Sequence, residues 1–445
     1  MVNNKIKNVL ESFYLIPAIY VFAVLGRVFD VIQITLPIIA LTVILILVFC
    51  DDVKNVLGII FYAPFYIKDI SMNLRFELYV AVIACVVLAL IYFFVRSVLS
   101  LKKQKEKIKG KLYVPLIIIT VAYLLGGIAY DFNLFNAVTI LTLSIATFLF
   151  YYIALNCTKD IGKYMNKVFV VGAVLVSFMV LYENFVNYGG IKYIFNRSRY
   201  TWVCAENVNV AATFILLGLC GAFGLGYKTN KDGIWLIVAS CFYFFIVITY
   251  CRMMTAIGAL ALLVFTIVNF IKSPRKRIYL IYIGAIIIVG IAIIISFWDV
   301  IYNILHALIG KKGMTGRDEL WPWCIEMFKQ NPIFGIGFKI EEKVPMMGAG
   351  AAHYVLAHNT LIQWLVSLGI VGALCMLVFT AFKYRIILKD FFGEGVVLRL
   401  LIIFVALSGI TDQAPQMDPF IYNIIIVVIA SIESISFYSN KKKEE

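Results

Sequence analysis

The sequence predicts an all-α, polytopic integral membrane protein with 12 to 14 transmembrane helices and one large outward-facing loop. Hydrophobic residues make up 63% of the 445 residues, charged residues make up 14%, and the mean hydropathy is +0.95. Soluble domains are about half apolar and a quarter charged, so this composition excludes them. Nine cysteines lack CxxC spacing and lie mostly inside apolar runs, which indicates neither a disulfide framework nor a zinc site.

Apolar segments near the length that crosses a hydrocarbon core of about 30 Å are candidate spans. They are 13–27, 31–50, 55–67, 78–99, 113–130, 134–157, 168–187, 207–227, 233–250, 253–271, 278–298, 359–382, 396–411 and 419–437. The segments 13–27 and 55–67 are short and contain Pro17 and Pro64, so each is predicted to be a kinked or re-entrant segment. The range of 12 to 14 spans follows from these two.

The distribution of basic residues predicts the topology. With the amino terminus in the cytoplasm, 26 of the 39 Lys and Arg residues fall in inside loops or at inner span ends, and 13 fall outside. Every strongly basic short loop is then on the same side, as the positive-inside rule requires. Both termini are therefore predicted to be cytoplasmic. The formal charge of +14 reflects anchoring at an anionic inner leaflet and does not support nucleic-acid binding.

Three regions follow from this pattern. Residues 1–298 are predicted to form about 11 spans, and residues 358–445 form three more spans and a cytoplasmic tail. Between them, residues 299–357 form an extracellular or periplasmic loop, for which we expect two or more short amphipathic helices over the membrane face. An insertion of 59 residues is unexpected unless it is functional. The candidate site is therefore predicted on the outward side.

The loop contains a predicted helix with an arginine at its start. Thr315 or Asp318 can cap a helix that ends at Asn331-Pro332, with Arg317 just ahead of it. Backbone amides at a helix start, beside a guanidinium, form a good site for a phosphate or pyrophosphate. The alternative interpretation is a solvated arginine next to Asp318.

The same helix and the turn after it supply further candidates. Trp321 shares a face with Ile325 and Phe328, a face suited to the membrane interface, where tryptophan is favoured. Gly335 and Gly337 permit tight backbone turns or the close approach of a ligand.

His358 is the last polar residue before a predicted span, and Asn359 follows it. Histidine is the commonest general base, so His358 is a candidate catalyst. A lone histidine at a membrane interface is also often structural. The other two histidines, His306 and His353, lack a comparable sequence context.

Arginines elsewhere on the outward side are also candidates. Arg252 lies between two apolar runs, and arginine at a helix centre costs about 2.5–3.5 kcal/mol on insertion scales, so such residues usually face a cavity or a partner. Snorkelling of Arg252 to the interface is the alternative. Arg197 and Arg199 precede a polar segment that includes Asn209 and opens another span, although Glu206 could neutralise Arg199.

Together these residues resemble the O-antigen ligase and O-antigen polymerase family. The resemblance covers about Arg199 to Gly372 and rests on Arg199, Asn207, Asn209, Arg252, Thr315-Gly316-Arg317, Leu320-Trp321, Asn331-Pro332-Ile333-Phe334-Gly335-Ile336-Gly337, His358-Asn359, Leu361, Gly369 and Gly372. The chain departs from the family pattern at Cys251 and Met253-Met254, where the family often has serine and small residues.

The resemblance implies a membrane glycosyltransferase on the outer face of the bacterial cytoplasmic membrane, with an undecaprenyl-pyrophosphate-linked oligosaccharide as donor and a sugar hydroxyl as acceptor. It implies no cofactor, metal or nucleotide sugar, because arginines can stabilise the charge of a departing pyrophosphate. The candidate catalytic residues are His358, Arg317 and Arg252. The candidate substrate-binding residues are Arg197, Arg199, Asn209, Trp321, Gly335, Gly337 and Asn359.

A polymerase that joins repeat units of a capsule, exopolysaccharide or O-antigen is the preferred interpretation. A composition rich in Lys, Ile and Asn indicates an AT-rich genome, which fits a bacterium without lipid A. In such a bacterium a ligase would have no lipid A core as acceptor. An O-antigen ligase and a peptidoglycan polymerase of the shape, elongation, division and sporulation class stay alternatives. A transporter or flippase of lipid-linked glycans is less favoured, because transporters place charged sites near the midplane. Besides the bilayer, chain-length regulator and flippase proteins are candidate partners.

Overall fold

The computed structural model shows an almost entirely helical chain. It describes residues 4–65, 76–101, 108–129, 140–156, 158, 160–188, 202–203, 206–227, 229, 231–273, 275–296, 317–337, 357–410 and 418–444. Within these ranges the extended structure is one antiparallel pair of two-residue strands, Trp202–Val203 with Glu206–Asn207. The predicted all-helical class is confirmed.

The α-helices of the described residues are numbered here in chain order. They are α1 Asn4–Glu11, α2 Leu15–Val28, α3 Ile32–Phe49, α4 Lys54–Phe61, α5 Phe76–Leu101, α6 Tyr113–Ala129, α7 Ala146–Asn156, α8 Ile161–Tyr188, α9 Val208–Gly226, α10 Asp232–Ile248, α11 Arg252–Lys272, α12 Lys276–Ser296, α13 Arg317–Gln330, α14 Thr360–Leu388, α15 Val396–Ser408 and α16 Pro419–Glu444. A 3₁₀ turn, Ala63–Phe65, follows α4, and a π-helical turn, Leu141–Ile145, precedes α7.

Six of the described helices, namely α3, α8, α9, α11, α14 and α16, are long and apolar enough to cross a membrane. A seventh span results if α1 and α2, which are bent by 74° at their junction, count as one. Shorter apolar helices occur in five further segments of the described residues. The chain is therefore a polytopic membrane protein, and the number of 12 to 14 spans stays a prediction.

Helix α4 shows why one predicted span is irregular. Its eight residues rise only about 12 Å, less than half of a hydrocarbon core of roughly 30 Å. The helix ends before the 3₁₀ turn that contains Pro64. The ring of Tyr62 fills the space beside Gly172, where an added Cβ would lie 2.0 Å from the ring. The expectation of a kinked or re-entrant segment agrees with this geometry.

The chain forms two compact units, each built from two stretches of sequence. The first unit comprises Met1–Lys107 and Asn156–Gly310. At its centre α9 packs against α8, α10 and α11. A Cβ added at Gly218 would lie 2.0 Å from the side chain of Ala173, so glycine permits the close approach of α9 to α8.

Three segments predicted to share the cytoplasmic side meet at one end of the first unit. The Nζ of Lys7 lies 2.5 Å from a carboxylate oxygen of Asp51. The amide nitrogen of Asn55 donates to the carbonyl oxygen of Leu10 at 2.7 Å, and the hydroxyl of Tyr164 donates to the amide oxygen of Asn55 at 2.9 Å. Their meeting agrees with the relative sides predicted from the basic residues.

A largely buried ion pair joins two other helix ends of this unit. The guanidinium of Arg27, near the end of α2, lies 2.5 Å from the carboxylate of Glu183, near the end of α8. The two side chains are only 8% and 18% exposed. The pair therefore brings two opposite charges together in a largely buried place.

The second unit comprises Ile108–Leu155 and Lys311–Glu445. In this unit α14 packs against α6, α13 and α16. The buried carboxylate of Glu433 on α16 accepts hydrogen bonds from the hydroxyl of Tyr151 and from the backbone nitrogen of Lys111, the latter at 3.0 Å. It thereby satisfies a backbone donor just ahead of α6.

Candidate active site at the start of a broken helix

A hydrophobic cluster in the second unit holds α13 against α14. Its buried members are Cys324, Met327, Ile336, Ala357 and Val366. Its partly buried neighbours are Leu320, Trp323, Phe328 and Ile362. The cluster thus combines both helices with the segments that follow α13 and precede α14.

The helix predicted in the long loop is confirmed, and it ends at Gln330, as expected. It begins at Arg317, so Asp318 lies within its first turn and the prediction that Asp318 caps the helix is wrong. The most buried residues of α13 are Cys324 and Met327. Each lies one position before a residue of the predicted apolar face, Ile325 and Phe328. This shift arises because α13 packs against α14, and the apolar periodicity alone did not reveal that partner.

A chain of hydrogen bonds connects α13 to the interior of α14. The indole Nε1 of Trp321 donates to the carbonyl oxygen of Ala357 at 2.8 Å, and the backbone nitrogen of Ala357 donates to the side-chain oxygen of Gln363 at 2.7 Å. The amide nitrogen of Gln363 in turn donates to the hydroxyl of Ser367 at 2.9 Å. Both backbone polar groups of Ala357 are used, so the residue before His358 is held from two sides.

His358 itself adopts a left-handed backbone conformation with φ of 49°. For a residue other than glycine this conformation costs roughly 1–2 kcal/mol, so the surrounding contacts must maintain it. The side chain of His358 is half-buried. The candidate base therefore stands at a fixed position between Ala357 and the start of α14.

Asn359 caps α14. Its side-chain oxygen accepts hydrogen bonds from the backbone nitrogens of Leu361 at 3.0 Å and Ile362 at 3.1 Å. Its side-chain nitrogen donates to the carbonyl oxygen of Ile410, just after α15, at 3.1 Å. These bonds give Asn359 a structural function, and its predicted contact with substrate stays a prediction.

Helix α14 is broken at Gly369, where φ is 65° and ψ is −167°. The segment after α13 supplies hydrogen bonds across the break. They are Ile336 N to Val366 O at 2.9 Å, Gly337 N to Ser367 O at 3.1 Å, Ile370 N to Pro332 O at 2.8 Å and Val371 N to Ile333 O at 3.2 Å. The loop therefore replaces helical hydrogen bonds that the break removes.

Gly335 and Gly369 meet backbone to backbone at this break. A Cβ on Gly335 would lie 2.5 Å from the backbone nitrogen of Leu368, and a Cβ on Gly369 would lie 2.3 Å from the carbonyl oxygen of Ile333. Gly335 and Gly337 have φ of 75° and 78°, so the predicted tight turn is present. The close neighbour of Gly335 is the α14 backbone, which gives this glycine a structural role that the sequence did not specify.

Arg317 is the first residue of α13, and the structure describes its backbone but not its side chain. Four residues separate it from Trp321, a rise of about 6 Å along the helix. The Arg317 backbone is thus about one turn from the indole that binds Ala357.

Two candidates from the first unit lie at neighbouring helix starts. Arg252 is the first residue of α11 and follows a turn in which Tyr250 has φ of 55°. Asn209 is the second residue of α9, and its carbonyl oxygen accepts a hydrogen bond from Thr213 at 2.9 Å. The Thr213 hydroxyl also lies 3.7 Å from the sulfur of Met254, so these starts of α9 and α11 pack together.

The remaining candidates, Arg197 and Arg199, and the alternative histidines, His306 and His353, lie outside the described residues. The second amphipathic helix expected in the loop also has no counterpart in the described part of 299–357. Among the side chains that the structure describes, no group of three or more His, Cys, Asp and Glu is arranged to hold a metal ion.

The family model of the O-antigen ligase matches residues 235–377, from the start of α10 into the middle of α14. This segment includes Arg252, Arg317, the two glycines after α13 and His358-Asn359. This part of the chain is therefore similar to the O-antigen ligase family. The upstream segment Arg199–Asn209, which the sequence resemblance included, lies outside the matched residues.

A second similarity extends over a longer part of the chain. The chain is 25% identical over 330 residues to the exopolysaccharide production protein ExoQ of Rhizobium meliloti (strain 1021), with 64% of this chain and 73% of the relative covered. The chain is thus similar both to the O-antigen ligase family and to a protein of exopolysaccharide production.

Sequence reasoning missed Ala357, Gln363 and Ser367 among the residues that organise the candidate site. A signal for two of them is present, because Gln363 and Ser367 are four residues apart in an otherwise apolar helix and so lie on one face. Polar pairs of this kind inside a span indicate a buried hydrogen bond. The involvement of Ala357 was not predictable, because only its backbone takes part.

Proposed function

We propose that the chain is a polysaccharide polymerase that joins oligosaccharide repeat units carried on undecaprenyl pyrophosphate, on the outer face of the cytoplasmic membrane. The observation that carries this proposal is the combination of the family-model match over residues 235–377 with similarity to a protein of exopolysaccharide production. The product is a capsule, exopolysaccharide or O-antigen, with the growing chain as the lipid-linked donor and a hydroxyl of a second lipid-linked unit as acceptor.

In the proposed reaction the acceptor oxygen forms a bond to the anomeric carbon, and the bond from that carbon to the pyrophosphate oxygen breaks. The acceptor proton passes to the imidazole of His358, and the bonding electrons leave with the lipid pyrophosphate. Arg317 stabilises the negative charge that develops on this leaving group, as a guanidinium does through bidentate hydrogen bonds.

The packing of the second unit supports these roles. Trp321 binds the carbonyl oxygen of the residue before His358, and Arg317 starts the same helix one turn earlier. Arg252 is proposed separately as an anion-binding residue, because it stands at the start of α11, where backbone amides also favour negative charge.

Glycans bound to the lipid carrier distinguish a polymerase from a ligase. In a strain that lacks the protein, single repeat units should accumulate on undecaprenyl pyrophosphate and should be visible after mild acid release. Accumulation of complete polymer on the carrier would identify a ligase, the second candidate that the family description favours.

Substitutions test the two chemical roles. His358→Ala should lower turnover by roughly 10²- to 10⁴-fold, the usual contribution of a general base, while binding of the lipid-linked donor persists. Arg317→Lys keeps the positive charge but removes the planar guanidinium that can form two parallel hydrogen bonds to a phosphate. Both donor binding and turnover should therefore fall. His306→Ala and His353→Ala are matched controls that should stay active.

A second replacement separates chemistry from backbone conformation. Asparagine tolerates the left-handed region better than alanine, so His358→Asn preserves the φ of 49° with less strain. Equal loss of turnover in the Ala and Asn variants supports the role as a base. Parent-like turnover in His358→Asn would instead show that position 358 serves the backbone turn.

A further inference from the structure

An open apolar groove lies between α11 and α12 of the first unit. It encloses about 440 Å³ and is also lined by Tyr243 of α10. Its side chains along the two main helices include Leu262, Ile267, Phe270, Leu280, Ile283 and Ile287. Several of them are exposed, including Ile267 at 49% and Leu280 at 59%, so the groove opens to the surroundings of the protein.

Two of the polar side chains that line this groove, Thr266 and Tyr282, form hydrogen bonds within the protein. The hydroxyl of Thr266 donates to the carbonyl oxygen of Leu262 at 2.6 Å, one turn back on the same helix. The hydroxyl of Tyr282 shares a hydrogen bond with Ser240. The groove therefore offers a long-chain hydrocarbon an apolar surface.

One end of the groove is strongly basic. Lys276, Leu280, Ile283 and Ile287 follow the helical spacing of one face of α12, so the stripe that lines the groove begins with a lysine. The Nζ of Lys276 lies 5.7 Å from the ring centre of Phe270, which lines the groove, so the ammonium stands beside the end of the groove.

Two exposed arginines, Arg275 and Arg277, flank Lys276 at this end of the groove. The carboxylate of Asp232 is buried and accepts a hydrogen bond from the hydroxyl of Ser273 at 2.8 Å. The exposed side chains of Lys276 and Arg277 give the mouth positive charge.

The length and position of the groove fit one leaflet of a bilayer. Its lining residues on α11 extend from Ala259 to Phe270, a rise of roughly 16 Å. Half of a hydrocarbon core of about 30 Å is roughly 15 Å deep. The basic loop at its mouth is one that the positive-inside rule places in the cytoplasm, where the leaflet is rich in anionic lipids.

We propose that this groove binds an anionic phospholipid of the inner leaflet. One acyl chain lies along α11 and α12, and the phosphate of the headgroup is held by Lys276 with Arg275 and Arg277. A lipid bound in this way would fill the groove between the two helices.

The groove is distinct from the position proposed for the glycan donor. Arg252 is at the opposite end of α11, and 18 residues separate it from Phe270, a rise of about 27 Å. A pyrophosphate bound near Arg252 would be far from the basic mouth. The proposal therefore concerns a second lipid and does not depend on the polymerase reaction.

Native mass spectrometry of the full-length protein can test this site. Micelles would contain equal amounts of phosphatidylglycerol and phosphatidylcholine with identical acyl chains. The parent protein should retain one phosphatidylglycerol with about tenfold preference, since cations near a membrane surface attract anionic lipid. The double variant Lys276→Gln with Arg277→Gln should retain lipid with little preference.

A pair of bulky replacements tests the groove itself. Ile283→Trp should abolish lipid retention, because the indole fills the groove. Ile288→Trp is the matched control, since Ile288 is on the same helix, is 69% exposed and does not line the groove. A phosphatidylglycerol with a photoreactive acyl chain should label 259–271 and 280–287 in the parent protein, a result that does not depend on the folding of any variant.

Several results would overturn the proposal. Equal retention of the two phospholipids by the parent protein would exclude headgroup recognition, and undiminished retention by Ile283→Trp would place the lipid elsewhere. Loss of bound phosphatidylglycerol on addition of undecaprenyl phosphate would assign the groove to an isoprenoid chain. A dimer that dissociates in Ile283→Trp would assign it to a second copy.

Discussion

The indole nitrogen of Trp321 donates a 2.8 Å hydrogen bond to the carbonyl oxygen of Ala357, the residue that immediately precedes His358. This bond joins the loop helix α13 to the start of the membrane helix α14. Because the backbone nitrogen of Ala357 donates to the side-chain oxygen of Gln363, the path of the chain into His358 is held at both backbone polar groups of Ala357.

Trp321→Phe should lower turnover with little change in protein level. The substitution keeps the aromatic bulk but leaves the buried carbonyl of Ala357 without this donor, a loss of about 1–3 kcal/mol in local stability. Polymer yield in cells, normalised to the amount of protein in the membrane, measures the effect. Trp323→Phe is the control, because Trp323 contributes ring packing to the cluster. Equal activity of the two variants would show that the hydrogen bond is dispensable.

Gly335→Ala and Gly369→Ala should each prevent stable folding of the second unit. Both positions have positive φ, and the added Cβ would overlap backbone atoms that cannot rotate away. Gly284→Ala is the matched control, since no heavy atom lies within 4 Å of its added Cβ. Alanine in a helix interior is favoured over glycine by roughly 0.5–1 kcal/mol, so this variant should be at least as stable as the parent. Thermal unfolding in detergent compares the three, and a parent-like midpoint for Gly335→Ala would contradict the packing described.

Glu183→Gln should strongly destabilise the first unit. Removal of one partner from a buried ion pair typically costs about 3–5 kcal/mol, because the other charge stays buried. The comparison is Glu326→Gln, whose partner Lys329 is exposed, and surface pairs contribute only about 0–1 kcal/mol. The unfolding midpoints should therefore differ clearly. Similar midpoints for the two variants would mean that water reaches the Arg27–Glu183 pair.

Thiol labelling in intact cells tests the predicted topology. Lys329→Cys, on the exposed face of α13, should react with a membrane-impermeant maleimide, whereas Lys163→Cys, near the start of α8, should react only after the membrane is opened. Cys324 should stay unlabelled before and after the membrane is opened, because its side chain is buried. Burial also raises the pKa of the Cys324 thiol to about 12, so little of the reactive thiolate is present. The opposite pattern for the two introduced cysteines would place the candidate site in the cytoplasm.

The sequence by itself determined the class of the protein and the course of its helices. Composition required a membrane protein, and apolar periodicity placed α10 and α11 within two residues of the predicted spans. The proline and asparagine after Gln330 marked the end of α13. These features depend on neighbouring residues, so they can be read from one stretch of chain at a time. The family resemblance likewise rests on short motifs.

Only the tertiary structure decided how the candidate site is supported. Gly335 and Gly369 are 34 positions apart in sequence, and their backbone contact requires that the loop fold back onto a break inside α14. Trp321 finds its acceptor on a residue 36 positions away, and Asn359 joins its own helix to a carbonyl 51 positions away. Backbone groups carry several of these bonds, and every residue type has the same backbone groups. The sequence therefore shows which residues can turn, cap or donate, and three-dimensional packing selects their partners.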